Sequence, residues 1–272
     1  MKLPAAAWIA SSVLALLGAS SRAAEDAQVP SSDEALKQLV AALGEHGILL
    51  DPARGLCAID VRVAIRDDLL EYVLVNPRGQ SHESLFTSEV PPRALNTALL
   101  ALGVQPGENV RIQERFPRPT PEELRDGATA YTLEPPKGDG FYLYAGWREG
   151  DEVFWYRVED LVRDLATGRS MQRHRFVYLG SKTAPDRKNP GQELFAAEIE
   201  GNLVNLALFE QGFTLVTTAL PACIQQANWL PNAWLMPERG SEVQLVFSRE
   251  KLTQIPAGWI ERLPVVEPAK RR

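Results

Sequence analysis

The chain is organised around residues 70–103, LEYVLVNPRGQSHESLFTSEVPPRALNTALLALG. Residues 70–75 are rich in large apolar and β-branched side chains, which predicts a strand. The Asn-Pro-Arg-Gly sequence at 76–79 is typical of a turn, because proline presets φ and glycine accepts a positive φ. Residues 83–88 then predict a second strand that returns the chain beside the first. The stretch therefore begins as a short β unit with a polar cluster at its turn.

The same stretch ends in a predicted helix that begins at Pro92. Its apolar residues fall at i, i+3, i+4 and i+7 and therefore share one face: Leu95, Ala98, Leu99 and Leu102. Proline suits the first turn of a helix, and Gly103 suits the position just past its end. A second helix is predicted after the capping-box spacing of Ser31 and Glu34, and it ends at Gly44.

Short strand patterns recur along the rest of the chain. Residues 48–65 and the aromatic-rich residues 140–157 each predict a hairpin, and a third is predicted at 194–209 about the turn Glu200-Gly201-Asn202. Many short strands with few helical segments predict an α+β fold, a mostly antiparallel β-sheet with two or three helices.

A family resemblance is carried by residues 82–107, HESLFTSEVPPRALNTALLALGVQPG. They are similar to the central signature of the YdjY domain family, a His-Glu-Ser after an Asn-Pro-x-Gly-like turn, then an acidic-Pro start to a leucine-rich helix. The likeness extends through residues 153–160, 178–181 and 197–206, roughly half to two-thirds of the chain. The resemblance implies an exported domain and no particular reaction. Some members carry a ferredoxin-like label, but two cysteines are too few for a four-thiolate iron–sulfur cluster, so we predict no cofactor.

The N-terminus predicts a signal peptide at residues 1–23. Lys2 precedes an uncharged apolar run at 5–18, and Ser-Arg-Ala before the acidic lead-in suits cleavage after Ala23. The run is short for a membrane-spanning helix, although an uncleaved N-terminal anchor is the alternative. We therefore expect a secreted or periplasmic, soluble protein with no membrane span after cleavage.

The domain prediction has four parts: signal peptide 1–23, flexible lead-in 24–32, a single α+β domain 33–264 and a basic tail 265–272. The Pro- and Gly-rich residues 135–140 are the best internal boundary. The strands on each side are short and would pair better together, which favours one domain.

The charge balance disfavours nucleic acid as a partner. The chain has 29 Lys and Arg against 35 Asp and Glu, a net charge of −6. Removal of residues 1–23 takes away Lys2 and Arg22 and no acid, which leaves 27 against 35, a net charge of −8. An acidic protein without a basic stripe is a poor nucleic-acid binder.

The polar cluster of the central stretch holds the candidate site residues. We expect Asn76, Arg78, His82 and Glu83 to bind a ligand, and His82, Glu83 and Ser84 are the candidates for catalysis. In a strand, His82 and Ser84 share one face and Glu83 takes the other, so the three are not a ready-made triad. No G-x-S-x-G elbow is present. The simpler interpretation is that His82 hydrogen-bonds the turn.

The sequence allows two further kinds of site. A metal could be bound by His82, Glu83, His174 and acids such as Asp160, but the chain has no H-E-x-x-H or C-x-x-C spacing, so we predict no metal. Cys57 and Cys223 could form one disulfide in an oxidising compartment, or remain two buried thiols.

The sequence favours a noncatalytic, exported binding or envelope-associated module that acts through residues 76–84. Its partner would be an envelope component or a small ligand. The alternative is an extracytoplasmic hydrolase or metal-dependent enzyme that uses His82. Residues 229–234, Trp-Leu-Pro-Asn-Ala-Trp, are the one segment that suggests a surface aromatic platform.

Overall fold

The computed structural model describes residues 31–267. The predicted signal peptide, most of the lead-in and residues 268–272 of the predicted basic tail lie outside this range. Within residues 31–267, no helix is long and apolar enough to cross a bilayer.

Four α-helices lie in the described range: α1 Ser32–Gly44, α2 Pro92–Ala101, α3 Pro121–Arg125 and α4 Ala196–Glu200. The two longest, α1 and α2, are predicted by the sequence. The Glu34 N–H donates to the Ser31 hydroxyl at 3.3 Å, which caps α1 as its spacing indicates. The other two helices have five residues each. The α+β class is therefore confirmed, with four helices rather than two or three.

The strands are β1 Ile48–Asp51, β2 Leu56–Val63, β3 Tyr72–Val75, β4 Ser84–Thr87, β5 Arg111–Glu114, β6 Tyr131–Glu134, β7 Gly140–Glu149, β8 Glu152–Arg157, β9 Val162–Asp164, β10 Phe176–Tyr178, β11 Thr183–Pro185, β12 Glu193–Phe195, β13 Asn202–Asn205, β14 Val216–Thr217, β15 Trp229–Pro231, β16 Glu242–Ser248 and β17 Val265–Val266. The last of these pairs with β7, so the sheet continues past the predicted boundary at residue 264.

Eleven strands form one sheet in the order β1-β2-β16-β7-β10-β14-β13-β3-β4, with β8 and β17 attached to β7. β4 also pairs with β2, through Arg62–Thr87 and Val63–Phe86, so the strands from β2 to β4 close into a ring of eight. Most pairings are antiparallel, but β3–β4, β13–β14 and β7–β17 are parallel. The sheet is therefore mixed. The prediction of a mostly antiparallel sheet is right for most strand pairs, but not for these three.

Two predicted hairpins are present, and one is not. β1 and β2 pair as expected, and β7 and β8 pair over six residues on each side of a two-residue turn. The predicted hairpin at residues 194–209 is wrong, because α4 ends at Gly201 with a left-handed φ of 74°. β13 then pairs with β3 and β14 instead of with β12.

Residues 83–88 contain the predicted second strand, but this strand does not return the chain antiparallel to the first. β3 and β4 run parallel, with Tyr72 opposite Ser84 and Leu74 opposite Phe86. Parallel strands usually need a connection of a dozen residues or more. Here residues 76–83 are enough, because the strands have four residues each and one 3-10 turn, Ser81–Glu83, carries the chain back.

One hydrophobic core fills the ring of strands. It contains residues of α1 and α2 and large buried side chains from early, middle and late strands, among them Phe86, Phe141 and Phe247. Phe141 and Phe247 meet edge to face with ring centroids 5.9 Å apart. Each such side chain contributes about 1.5–3 kcal/mol by its burial. The core spans both sides of the Pro-rich residues 135–140.

Candidate functional site

The turn after β3 is held by its own asparagine. Asn76 is buried, and its backbone N–H donates to the Gly201 carbonyl at 2.8 Å. Its side-chain oxygen accepts from the Arg78 N–H at 2.9 Å, and its carbonyl accepts from the Gly79 N–H at 2.9 Å. Because each of these polar groups has a partner within the protein, the turn is fixed in one shape.

Two glycines make this arrangement possible. A Cβ on Gly79 would lie 2.8 Å from the Gly201 carbonyl oxygen, and a Cβ on Gly201 would lie 2.4 Å from the Gly79 nitrogen. The two backbones therefore approach closer than any side chain permits. Sequence reasoning missed this contact. The only indication of this contact in the sequence was that both glycine segments belong to the stretches that resemble the YdjY family.

The fixed turn lines a cleft, which we call the Asn76 cleft. It has a volume of about 470 Å³ and is lined by Asn76, Pro77, Arg78, Glu89, Val90, Pro91, Pro92 and Glu198. Arg78 and Glu89 are exposed, whereas Glu198 is paired with Arg93 at 2.8 Å. Of the four predicted ligand-binding residues, Asn76 and Arg78 lie in this cleft. The lining of the cleft thus combines three prolines and a valine with one exposed cation and one exposed anion.

A second cleft adjoins the first across residues 89–91, and we call it the Asp60 cleft. It has a volume of about 420 Å³ and lies where β1 stops pairing with β2 and β4 begins. Its acidic and basic lining residues are Glu45, Asp60, Arg62, Glu89 and Glu242, and His46 also lines it. Burial, and then the nearby Glu242, raise the pKa of Asp60. The cleft is acidic, because Arg62 is already paired with Glu242 at 2.6 Å.

The catalytic candidates are not brought together as a reacting set. His82 lies on the 3-10 turn, with its side chain 71% exposed and its Nε2 3.8 Å from Glu83 Oε1. Ser84 is fully buried, and its hydroxyl donates to the Phe86 carbonyl at 2.7 Å. His82 and Ser84 do not share a strand face, because the strand begins only at Ser84.

A carboxyl pair beside His82 was missed by the sequence. The Glu71 N–H donates to the Glu83 carbonyl at 2.9 Å, which places the two side chains side by side. Burial raises the pKa of Glu71, and the Glu83 carboxyl raises it further, whereas His82 lowers it. Only the parallel register of β3 and β4 reveals this pair, and the sequence predicted instead that the second strand returns the chain.

The possible metal ligands are dispersed. In residues 31–267, no group of three His, Cys, Asp or Glu side chains could hold a metal ion. Asp160 is paired with Arg173 at 2.7 Å, and His46 lines the Asp60 cleft. His82 and His174 belong to different environments, since the first is exposed and the second is 12% exposed at its side chain.

His174 belongs to a buried polar network. Its Nδ1 lies 3.1 Å from the Gln172 carbonyl, and its Nε2 lies 2.9 Å from the Thr218 hydroxyl. Its backbone N–H donates at 2.9 Å to Glu159, a fully buried carboxylate paired with Arg157. Burial lowers the pKa of His174 to about 4 and raises the pKa of Glu159 despite the adjacent arginine. These contacts join three segments of the sheet and expose no reactive group.

Both cysteines are free and buried. Cys57 lies in β2, and the Cys223 thiol accepts a hydrogen bond from Thr218 at 3.5 Å. Burial raises the pKa of both thiols. Of the two alternatives that the sequence leaves open, the structure has the free thiols.

The predicted aromatic platform is divided between core and surface. Trp229 is 1% exposed, whereas Trp234 is 83% exposed on a 3-10 turn. A platform of two rings is therefore absent from this segment.

Comparisons with known proteins give one match. The model of the YdjY domain family matches residues 49–248, which include β2 to β16 and every lining residue of the Asn76 cleft. No curated protein and no solved structure matched the chain.

Proposed function

This chain belongs to the YdjY domain family, and we propose that it is an exported, noncatalytic module that binds an envelope component or a small ligand in the Asn76 cleft. The observation that carries the proposal is the fixed turn, which holds Asn76 and Arg78 at the cleft by contacts within the protein. A preformed surface loses little conformational entropy when a partner binds, which suits recognition.

The chemistry of the cleft suits a partner with an apolar body and both kinds of polar group. Arg78 makes one long hydrogen bond, 3.4 Å to the Glu198 carbonyl, so its guanidinium can still donate to an anionic or carbonyl group. Glu89, the exposed anion of the same lining, suits a hydrogen-bond donor or a cation. A polypeptide segment or a zwitterionic small molecule has this combination.

Export is part of the proposal and is supported by the apolar run and small residues before Ala24. N-terminal sequencing of the protein from the envelope fraction should give Ala24 as the first residue. An intact Met1 on membrane-bound protein would indicate the uncleaved anchor instead.

The alternative, an enzyme that uses His82, has one observation in its favour, the Glu71–Glu83 carboxyl pair beside that histidine. Its weakness is that Ser84, the serine proposed for catalysis, is buried and its hydroxyl donates to a carbonyl. Metal analysis of untagged wild type and His82→Ala separates the two functions. Stoichiometric metal that is lost in the variant would favour the enzyme.

The binding proposal is tested by photo-crosslinking in the native envelope. A photoreactive side chain replaces Pro77, an exposed residue of the cleft lining, so that Arg78 stays in place. In a control protein it replaces Lys251, which is exposed and lines neither cleft. We expect a discrete adduct at position 77 that is suppressed by an excess of wild-type protein but not by an excess of the Glu89→Arg variant. Equal labelling at both positions would contradict the proposal.

A further inference from the structure

We propose that the outer edge of β8 is a second binding surface, which pairs with an extended polypeptide strand that carries basic and apolar side chains in alternation. β8 pairs with β7 along one side, from Glu149–Glu152 at the turn to Tyr144–Arg157. No strand of the described range pairs with its other side. The surface shares no residue with the Asn76 cleft, so its test is independent of the proposed function.

The register shows which backbone groups are open. Across a two-residue turn, the flanking residues Glu149 and Glu152 form a hydrogen-bonded pair, and the bonded pairs then alternate along the hairpin. The N–H and C=O groups of Val153 and Trp155 therefore point outward. Neither residue has a backbone or side-chain hydrogen bond in that direction within residues 31–267. The next outward N–H, that of Arg157, donates to Asp160 at 3.2 Å and ends the open stretch.

Edge strands are usually protected by a lysine, a proline, a bulge or a covering element. β1, at another edge of this sheet, has α1 packed against it. β8 has no lysine, proline or bulge, and no described strand pairs with its outer side: its six residues, Glu-Val-Phe-Trp-Tyr-Arg, pair with β7 in an unbroken register. Its central four residues are half-buried, so their side chains remain within reach of a partner. An exposed regular edge of this kind is the template that strand addition uses.

The edge is also rigid before any partner arrives. Phe154 stacks on Trp147 with ring centroids 5.5 Å apart on one face of the hairpin. Trp155 stacks on Tyr144 at 5.6 Å on the other face. Because ring contacts already fix the side chains on both faces of the hairpin, the protein loses little conformational entropy when a strand binds. Only the incoming strand has to become ordered.

The acidic residues at the turn of the β7–β8 hairpin favour a basic partner. The turn of the hairpin carries Glu149, Asp151 and Glu152, none of which has an ion pair in the described range. Tyr156 lies near the end of β8 that is away from the turn. Burial raises its pKa, and the nearby carboxylates of Glu152, Asp160 and Glu149 raise it further, so the negative charge acts along the strand. A second copy of the chain would bring the same acidic turn to the interface. A strand with lysine or arginine side chains is favoured instead.

The experiment uses three synthetic peptides of nine residues and the full exported chain. The first alternates Lys with Val and Thr, the second has Glu in place of Lys, and the third is the Lys peptide with N-methyl groups along one edge. Fluorescence polarisation measures binding to wild type, Val153→Pro and Val153→Thr. The proline removes only an outward N–H, and the threonine keeps it.

We expect saturable binding of the Lys peptide, at least tenfold weaker for Val153→Pro and within twofold of wild type for Val153→Thr. The Glu peptide and the N-methylated peptide should each bind at least tenfold more weakly to wild type, which keeps the test valid even if the proline variant fails to fold. No saturable binding, or equal binding of the N-methylated peptide, would overturn the proposal. Self-association of wild type that Val153→Pro abolishes would also overturn it, because the occupant would then be a second copy.

Discussion

At the residue scale, the molecule depends on a contact between two glycines. Gly79 and Gly201 approach so closely that each excludes a Cβ on the other, and Gly201 also has a left-handed φ. The contact positions Asn76, and Asn76 in turn positions Arg78. The shape of the Asn76 cleft therefore depends on residues that do not reach any ligand.

Gly201→Ala should destabilise the protein by about 3 kcal/mol or more, because a left-handed alanine costs about 1 kcal/mol and the clash with Asn76 and Gly79 adds to it. Gly240→Ala is the matched control, since Gly240 has a φ of 83° and nothing within 4 Å of a Cβ. It should cost only about 1 kcal/mol. Urea unfolding of the two variants measures the difference, and equal losses would show that the glycine contact is unimportant.

The buried network at His174 predicts a pH dependence. Burial lowers the pKa of His174 to about 4 from an ordinary value of 6.5, so the unfolded chain binds a proton more readily than the folded one. Stability from this residue is full above pH 6.5 and is lost as the pH falls toward 4. The loss amounts to roughly 3 kcal/mol.

The comparison of wild type with His174→Gln isolates this effect, because the raised pKa of Glu159 acts in the opposite direction in both proteins. Between pH 6.5 and 4, wild type should lose roughly 3 kcal/mol more unfolding free energy than the variant. A titration of the His174 ring by NMR gives a second measurement. Parallel stability curves for the two proteins would contradict the predicted shift.

The two thiols are predicted to stay reduced in the purified protein. Alkylation of native protein should be slow, since both side chains are buried and burial disfavours the reactive thiolates. Alkylation after unfolding without a reductant should add two groups to the mass. A protein that takes up none under those conditions would contain the Cys57–Cys223 disulfide.

Residue types predicted the candidate site only in part. Asn76 and Arg78 were identified from turn chemistry, which is local and therefore visible in sequence. The burial of Ser84 and the proximity of Glu71 to Glu83 were not predictable, because both depend on the direction and register of β4. Hydrophobic periodicity does not contain that information.

At the element scale, the sequence predicted the helices and hairpins whose formation depends on local residue patterns. The hairpins β1–β2 and β7–β8 and the helices α1 and α2 have their own turns, caps and apolar faces. The hairpin expected about Gly201 failed because the same Gly-Asn pair that suits a turn also ends α4. The close contact of Gly201 with Gly79, which is distant in sequence, decides that the pair ends a helix here and does not form a hairpin turn.

The β5–β6 ribbon is an element whose outer part contributes little to the core. Residues 116–129 have no buried side chain, and Phe116 is 98% exposed, although Ile112 and Leu133 at the base pack against the core. The Arg115 N–H donates to the Ala130 carbonyl at 2.9 Å, so these two residues form the last bonded pair of the ribbon.

Replacement of residues 116–129 by Asn-Gly should therefore leave global stability nearly unchanged. Asn-Gly closes a hydrogen-bonded strand pair with a two-residue turn. We expect the thermal midpoint to move by less than about 3 °C, and Leu133→Ala, at the packed base, to cost about 1–2 kcal/mol. A loss above about 3 kcal/mol for the excision would show that the tip packs on the body.

At the scale of the whole molecule, the ring of strands makes distant parts of the chain neighbours. β16, near the C-terminus, lies between β2 and β7, and β4 closes the ring on β2. The sequence predicted one domain rather than two from the shortness of its strands. It could not predict the ring, because β2–β16 pairing joins residues about 180 positions apart and no local pattern specifies such a partner.

A ring around one core should unfold as a unit. Trp147 and Trp229 report on the core by fluorescence, and far-ultraviolet circular dichroism reports on the sheet and helices together. Since Leu39 and Leu43 of α1 belong to the same core, we expect the two urea transitions to coincide. Leu43→Ala, which removes a fully buried side chain from the first helix, should shift both midpoints equally and cost about 2–4 kcal/mol. If α1 instead docked on an already stable body, the variant would move the dichroism transition and leave the tryptophan transition in place, and the chain would then comprise two cooperative units rather than one.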